Sequence, residues 1–394
     1  MNLPRRTGPG PAGLVVGPRS LPVLRDGIEE LTRLVGDHAG GLPPVVAIEA
    51  TGSLHRAWMT ALEQRFPGSV RLFAPSETTA ARAQLGSRRC KTDDRDCAAL
   101  TYLARQGHGR PVPTATATAT AEALTAAVRH RRGLVADRKV AQQRLHDQLN
   151  SLCPGLSAPA GHGRVLEVEG VTGQAVLDCA VAFAGRPPAI RSLRARATGR
   201  LTEADARYWV HRWRACLPPP PDAEARAARL GRAVDRWRAL QADITAAEAE
   251  ITLLLAGTDG QILTTLPGVA TTRAAAFAAF SLPIDRFPDA EHLYSATGLA
   301  PADYKSASLA RRGRISRQGL AEHRDALMSI AWGLSRYCGP FRDRDHELRA
   351  RGMAPIQARV ALARHACRLA YALLRTQNPY DEQRYRRARH QHER

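Results

Sequence analysis

Lysine is nearly missing from this chain of 394 residues. Lys91, Lys139 and Lys305 are the only ones, so arginine carries almost all of a formal charge of +20. That surplus, with a pI of about 10.7, points to a polyanionic partner. Arginine at the expense of lysine, together with abundant alanine, also reads as a GC-rich coding bias, so part of the charge is compositional. Paired cysteines are missing as well. Cys90, Cys97, Cys153, Cys179, Cys216, Cys338 and Cys367 show no C-x-x-C spacing, which argues against a zinc site, and scattered thiols suit a reducing, cytoplasmic setting. No signal peptide and no apolar run long enough to span a bilayer is present, so no membrane role is expected. The length suits two or three domains with ample core.

The opening residues, MNLPRRTGPGP, are rich in Pro, Gly and Arg and are expected to be disordered over 1–11. Gly13 to Leu24 has the composition of strands, and Asp26 to Val35 has helical spacing at Ile28, Leu31 and Leu34. Pro44 then opens a short apolar run, Val45 to Ile48, that reads as a buried strand with Glu49 at its end. A helix carrying Leu54, Trp58 and Leu62 and a second strand at Val70 to Phe73 complete an α/β unit with a parallel pair. Next, Thr92 is placed to cap a helix whose first turns hold Asp93, Asp94 and Asp96. Alone this is a well-capped surface helix. Glu49 adds to it, because a glutamate at an apolar strand end needs a partner, and three carboxylates at one sheet edge form a hard oxygen set suited to Mg²⁺.

The TATATAT run at 114–120 reads as a solvated linker. A long helix is expected from Ala121 to about Cys153, and a second after the Pro218–Pro221 break. In the second, Leu230, Val234, Trp237, Ile244, Ile251 and Leu255 occupy heptad a/d positions, which Gln241 and Glu248 interrupt. The two helices are expected to pair as an antiparallel coiled coil, within one chain or between chains. Residues 156–220 carry little readable pattern. From Gly260, LTTLPGVATTRAAAFAAF has the form of a helix-hairpin-helix in which the amides around Gly268 can hold a DNA phosphate. Helices are expected over Arg324–Tyr337 and Ala354–Leu374, followed by a basic disordered tail.

Between these elements lies GLAPADYKSASLARRGRISRQG, residues 298–319. Ser306 and Ser308 stand among small residues, with Lys305 before them and Arg311, Arg312, Arg314 and Arg317 after. Pro301 and the glycines predict a loop. By composition alone it is a solvated basic loop with incidental serines. Cations beside a serine would also stabilise an alkoxide and attract a phosphate.

The order of these residues resembles the insertion-sequence 110 family of transposases, also described as DEDD transposases or bridge-RNA-guided serine recombinases. The resemblance rests on Gly298-Leu299-Ala300-Pro301, Ser306-Ala307 and Gly313-Arg314-Ile315-Ser316-Arg317-Gln318-Gly319 in one half, and on E-A-T-G at Glu49 and K-T-D-x-x-D at Asp93 and Asp96 in the other. Ala307, Arg317 and His323 depart from the family's usual glycine, lysine and leucine. The resemblance implies a ribonuclease-H/resolvase-like α/β domain over 12–113, a linker and coiled-coil region over 114–257, a mainly helical C-terminal domain with the serine loop over 258–385, and a basic tail over 386–394.

It also implies a DNA recombinase of a mobile element that takes DNA and an element-encoded guide RNA as partners and works as a dimer or tetramer. Ser306 would be the nucleophile, Glu49, Asp93 and Asp96 would hold Mg²⁺, and Gly268, Lys305, Arg311, Arg312, Arg314 and Arg317 would meet nucleic acid. No aspartate precedes Asp26, so the family's first acidic position has no counterpart and its first strand is expected to be absent. The expectation is that the chain as written binds nucleic acid and recombines poorly or not at all. A water-using, junction-resolving metal nuclease and a catalytically dead nucleic-acid-binding relic stand as alternatives.

Overall fold

A computed structural model describes residues 19–51, 54–85, 92–112, 115–157, 164–306 and 309–392. At residues 54, 115–118, 302–306, 309–314 and 388–392 it describes the backbone only. The chain divides into two compact units, residues 1–115 and 116–394.

The first unit is a small α/β layer. Helix α1 (Arg25–His38) precedes strand β1 (Val46–Glu49), helix α2 (Leu54–Arg65) and strand β2 (Val70–Phe73). The strands pair in parallel, Val46 opposite Val70 and Glu49 opposite Phe73, as the strand–helix–strand order requires. Helix α3 (Pro75–Gln84), helix α4 (Asp93–Arg105) and strand β3 (Arg110–Pro111) follow, and β3 joins β2 antiparallel. The sheet order β1-β2-β3 puts β1, which ends in Glu49, at an edge among the described residues. Residues 13–18 lie outside the described residues, and 19–24 form no strand. The core is thin, with Met59, Leu62 and Val70 buried and Ile28, Leu31, Ile48 and Trp58 packed around them.

In the second unit, α5 (Ala115–Leu152) takes in Ala115–Thr120 of the alanine–threonine run that composition assigned to a linker. Alternating alanines keep helix propensity high enough for the long amphipathic segment behind them to extend through it. Helices α6 (Val171–Ala182), α7 (Ile190–Arg196) and α8 (Glu203–Arg214) pack on one end of α5 and on α9 (Ala223–Ala256). Their shared core includes Leu145, Leu149, Leu177, Leu193, Trp209, Trp213 and Trp237. Helices α5 and α9 run antiparallel. Arg131 meets Glu248, and one heptad further along α5 Arg138 meets Gln241, one heptad back along α9. The two residues that interrupt the apolar seam of α9 are thus each matched by an arginine. Arg131 donates from Nε and Nη2 to Glu248 Oε1 at 2.8 and 2.6 Å, and Arg138 Nη1 donates to Gln241 Oε1 at 2.8 Å. A polar pair at a seam position penalises a slipped register, in which it would be left unmatched.

The opposite end of the α5–α9 pair enters a second core with Leu124, Ile251, Leu255, Phe277, Leu327, Leu334 and Leu374. A 3₁₀ helix (Asp259–Thr265), rather than an α-helix, leads into the Pro267-Gly268 turn and α10 (Thr271–Ser281). Helix α11 (Ala290–Ala296) precedes a hairpin of β4 (Pro301–Ser306) and β5 (Leu309–Ile315). Helices α12 (Ala321–Tyr337), α13 (Gly339–Ala350), α14 (Pro355–Thr376) and α15 (Glu382–His392) close the fold. The basic tail, expected to be disordered, is thus helical through His392. No described helix is long and apolar enough to cross a membrane.

Candidate active site

The serine stretch is a hairpin rather than an irregular loop. Strands β4 and β5 pair antiparallel with Ser306 opposite Leu309, Lys305 opposite Ala310, Tyr304 opposite Arg311 and Asp303 opposite Arg312. Residues 307–308 join them, so Ser306 is the last rung before the connection. Ala307 and Ser308, two positions singled out from the sequence, lie outside the described residues. The register shifts between Pro301 and Asp303, where proline offers no N–H to the ladder.

A lone two-stranded hairpin is marginal in water; here its root is held by the helical core. Ser316 N donates to Ala300 O at 2.8 Å, and Arg317 N donates to Gly298 O at 2.9 Å. Leu299 is buried beneath, and Ala300 and Ile315 pack on the same core. Gly298 has φ +70, a conformation that L side chains rarely adopt, and a Cβ there would crowd the Arg317 carbonyl carbon at 3.0 Å. Arg317 itself has φ +54 and is exposed. From this root, five residue steps at about 3.4 Å carry the chain roughly 17 Å to Ser306.

Gly268 sits in the turn before α10 with φ +76. Its carbonyl accepts from Arg273 Nη1 at 2.7 Å. A Cβ at Gly268 would meet Tyr337 Cδ2 at 2.4 Å and Gly333 O at 2.7 Å, so the turn is pressed onto α12. The glycine therefore has a packing reason to be there, in addition to the phosphate-binding role expected of its hairpin.

The acidic residues take up a different arrangement from the one expected. Thr92 does cap α4, accepting from Arg95 N at 3.4 Å, and α4 packs beside β1. Helix and strand are therefore neighbours. Yet no group of three His, Cys, Asp or Glu among the described residues is arranged to hold a metal. Glu49 Oε1 accepts from the Thr51 hydroxyl at 2.6 Å. Asp93 is exposed and lines, with Asp94 and Cys97, a cavity of about 780 Å³ beside α1. Asp96 is partly buried and lies 2.8 Å from Arg82 Nε on α3, an ion pair whose N–H does not point at the oxygen, so that neither atom completes a hydrogen bond. The donor chemistry suits Mg²⁺ but this arrangement does not: Asp96 is committed to Arg82, and the three carboxylates do not form one cation-sized group. Sequence reading missed Arg82 because it missed α3, whose signals were Pro75 in the first turn and Glu77 reaching back to the Ala74 N–H.

On α12, His323 is a buried residue with a structural role. Its Nε2 lies 3.0 Å from Ser281 Oγ, and Phe277 and Phe280 flank the ring. Burial holds its pKa down at about 3, so the ring is neutral.

Comparison with known proteins finds two matches. Residues 260–346, which hold the Gly268 turn, the hairpin and α12, match the family described as Transposase IS116/IS110/IS902. Residues 11–154, which hold Glu49, Asp93 and Asp96, match the DEDD transposase family of IS110 type. No curated protein matches the chain. With both diagnostic segments matched in order along one polypeptide, the chain belongs to the IS110 family of transposases, the DNA transposases of insertion sequences.

Proposed function

We propose that the chain exchanges DNA strands with Ser306 as the nucleophile. The observation that carries this reading is the hairpin: a serine on the last rung before the connection, on an arm rooted in a packed core, with Lys305, Arg311, Arg312 and Arg314 along its strands. In the proposed step Ser306 Oγ bonds to a backbone phosphorus, the bond from that phosphorus to a deoxyribose oxygen breaks, and the energy of the link is retained as a phosphoserine ester. The serine proton leaves with solvent or a base, and the displaced oxygen takes up a proton. Attack by the freed deoxyribose hydroxyl of a second strand on the phosphoserine restores the serine and joins the DNA. Arginines near the scissile phosphate would offset its growing negative charge. Lys305 and Arg317 would position the backbone, and the amides at Gly268 would hold a neighbouring phosphate. DNA, a guide RNA and a second copy of the chain are the proposed partners, with the acidic half supplied across subunits.

Glu49, Asp93 and Asp96 are the proposed carboxylates of that half; arranged as they are here, with Asp96 on Arg82, they do not form a site for a divalent cation. That pairing also favours a second reading, in which the chain binds nucleic acid without exchanging strands.

The test is a strand-exchange reaction with matched DNA and RNA in Mg²⁺, quenched in denaturant. A covalent protein–DNA adduct that disappears in Ser306→Ala is expected. Cleavage without an adduct, unchanged in Ser306→Ala, would mean that water attacks. Binding with neither adduct nor cleavage would support the second reading.

A further inference from the structure

Helices α12, α13 and α14 enclose a cleft of about 390 Å³ that no part of the mechanism uses. Its lining includes Trp332, Arg336, Arg342, Asp345, Arg349 and Arg359. Asp345 is the only carboxylate on that lining, is nearly buried, and pairs with Arg349 at 3.0 Å. Trp332 holds Arg336 over its ring at 5.3 Å and Arg273 at 4.9 Å. No carboxylate among the described residues pairs with Arg336, Arg342 or Arg359. Other arginines of this unit are paired: Arg364 and Arg368 share Glu291, Arg131 meets Glu248, and Arg375 meets Asp285. Guanidinium groups gathered around one concavity repel each other unless an anion joins them, and planar forked donors match phosphate oxygens.

We propose that this cleft is a binding site for a nucleic-acid backbone phosphate, with Arg342 and Arg359 as its donors and Arg336 held beside them by Trp332. The proposal rests on reading the chain as an enzyme that acts on nucleic acid, and extends it to a site away from the serine. The position supports it. Arg273 links the two features, donating to Gly268 O at 2.7 Å while its guanidinium lies over Trp332. A strand whose phosphate lies at the Gly268 turn would thus reach the cleft along the face of α12. Asp345 orients Arg349 on the cleft wall and keeps the site from being a uniformly positive patch. The shared chemistry is a phosphodiester, from duplex DNA or from single-stranded RNA.

The experiment is fluorescence anisotropy with the full chain, a short random-sequence DNA duplex and a short single-stranded RNA as separate probes, each across a salt series. The double variant Arg342→Gln, Arg359→Gln is compared with the parent and with Arg33→Gln, Arg207→Gln, whose arginines sit in exposed ion pairs elsewhere. Loss of two contacts should lower the slope of log affinity against log salt by about 1.8 for duplex DNA or about 1.4 for a single strand. The probe whose slope falls is the one that occupies the cleft. Arg342→Lys, Arg359→Lys should keep most of the slope, which separates lost charge from lost fold. Unchanged slopes with both probes, or an equal fall in the control pair, would overturn the proposal. A parent that binds neither probe would sink the nucleic-acid reading itself, whereas parental binding with an unchanged slope in the double variant sinks only the cleft.

Discussion

Replacing Gly268 with alanine should damage the C-terminal fold before it touches any chemistry. An alanine there must hold φ near +76, which for an L-residue is unfavourable by about 1–2 kcal/mol. Its Cβ would also lie 2.4 Å from Tyr337 Cδ2 and 2.7 Å from Gly333 O. Tyr337 is exposed and its ring can swing aside; the carbonyl of Gly333 is helix backbone and cannot. Separating the turn from α12 adds about 1–2 kcal/mol of overpacking, for a total of roughly 2–4 kcal/mol. With an unfolding entropy of about 2.1 cal/mol/K per residue over a unit of roughly 280 residues, the melting temperature should fall by about 3–7 °C. Gly333→Ala crowds the same crossing from the other side, its Cβ 2.5 Å from Gly268 O, but recovers about 1 kcal/mol of helix propensity. The double variant should therefore lose less than the sum of the singles, since both relieve the same contact by the same displacement. Urea and thermal unfolding of the four proteins form the cycle. A Gly268→Ala protein within about 0.5 kcal/mol of the parent would refute the argument that this turn is clamped onto α12.

Two further outcomes are expected from the same kind of reasoning. His323 has its pKa lowered from 6.5 to about 3 by burial, so the folded state favours the neutral ring. Its contribution is complete above about pH 6.5 and is lost as pH falls towards 3, with a slope of up to about 1.4 kcal/mol per pH unit. Denaturation titrations of the parent and His323→Leu should differ in slope across that window and agree above it; parallel profiles would exclude His323 as the source. In the first unit, Arg82→Gln leaves Asp96 partly buried without its counter-charge, at a cost of about 1–3 kcal/mol. It should also free Asp96 for a cation, so calorimetric Mg²⁺ titration should show tighter binding than in the parent, and equal or weaker binding would refute the view that Arg82 holds Asp96 away from a metal.

Elements with a strong local signal were legible in advance. Ile28, Leu31 and Leu34 marked α1, Thr92 marked the start of α4, and the apolar run before Glu49 marked β1 to within a residue. The heptads of α9 announced a partner helix, though the reason Gln241 and Glu248 are tolerated lay on α5, in Arg138 and Arg131. Three elements were misread or passed over. Helix α3 has little apolar periodicity, the start of α5 has low-complexity composition, and β4–β5 has a proline and a glycine that suggest a loop until the strands pair.

What the sequence determined by itself was family, because short ordered motifs such as E-A-T-G, K-T-D-x-x-D and G-L-A-P survive in the chain irrespective of how their side chains are arranged. It also determined the charge that makes a polyanion the expected partner. Tertiary structure alone decided which charges face each other. Asp96 meets Arg82 because α3 packs on α4, and Arg336, Arg342 and Arg359 line one cleft because α12, α13 and α14 converge there. Electrostatic energy depends on distance and on surrounding solvent, and neither is a property of position along the chain.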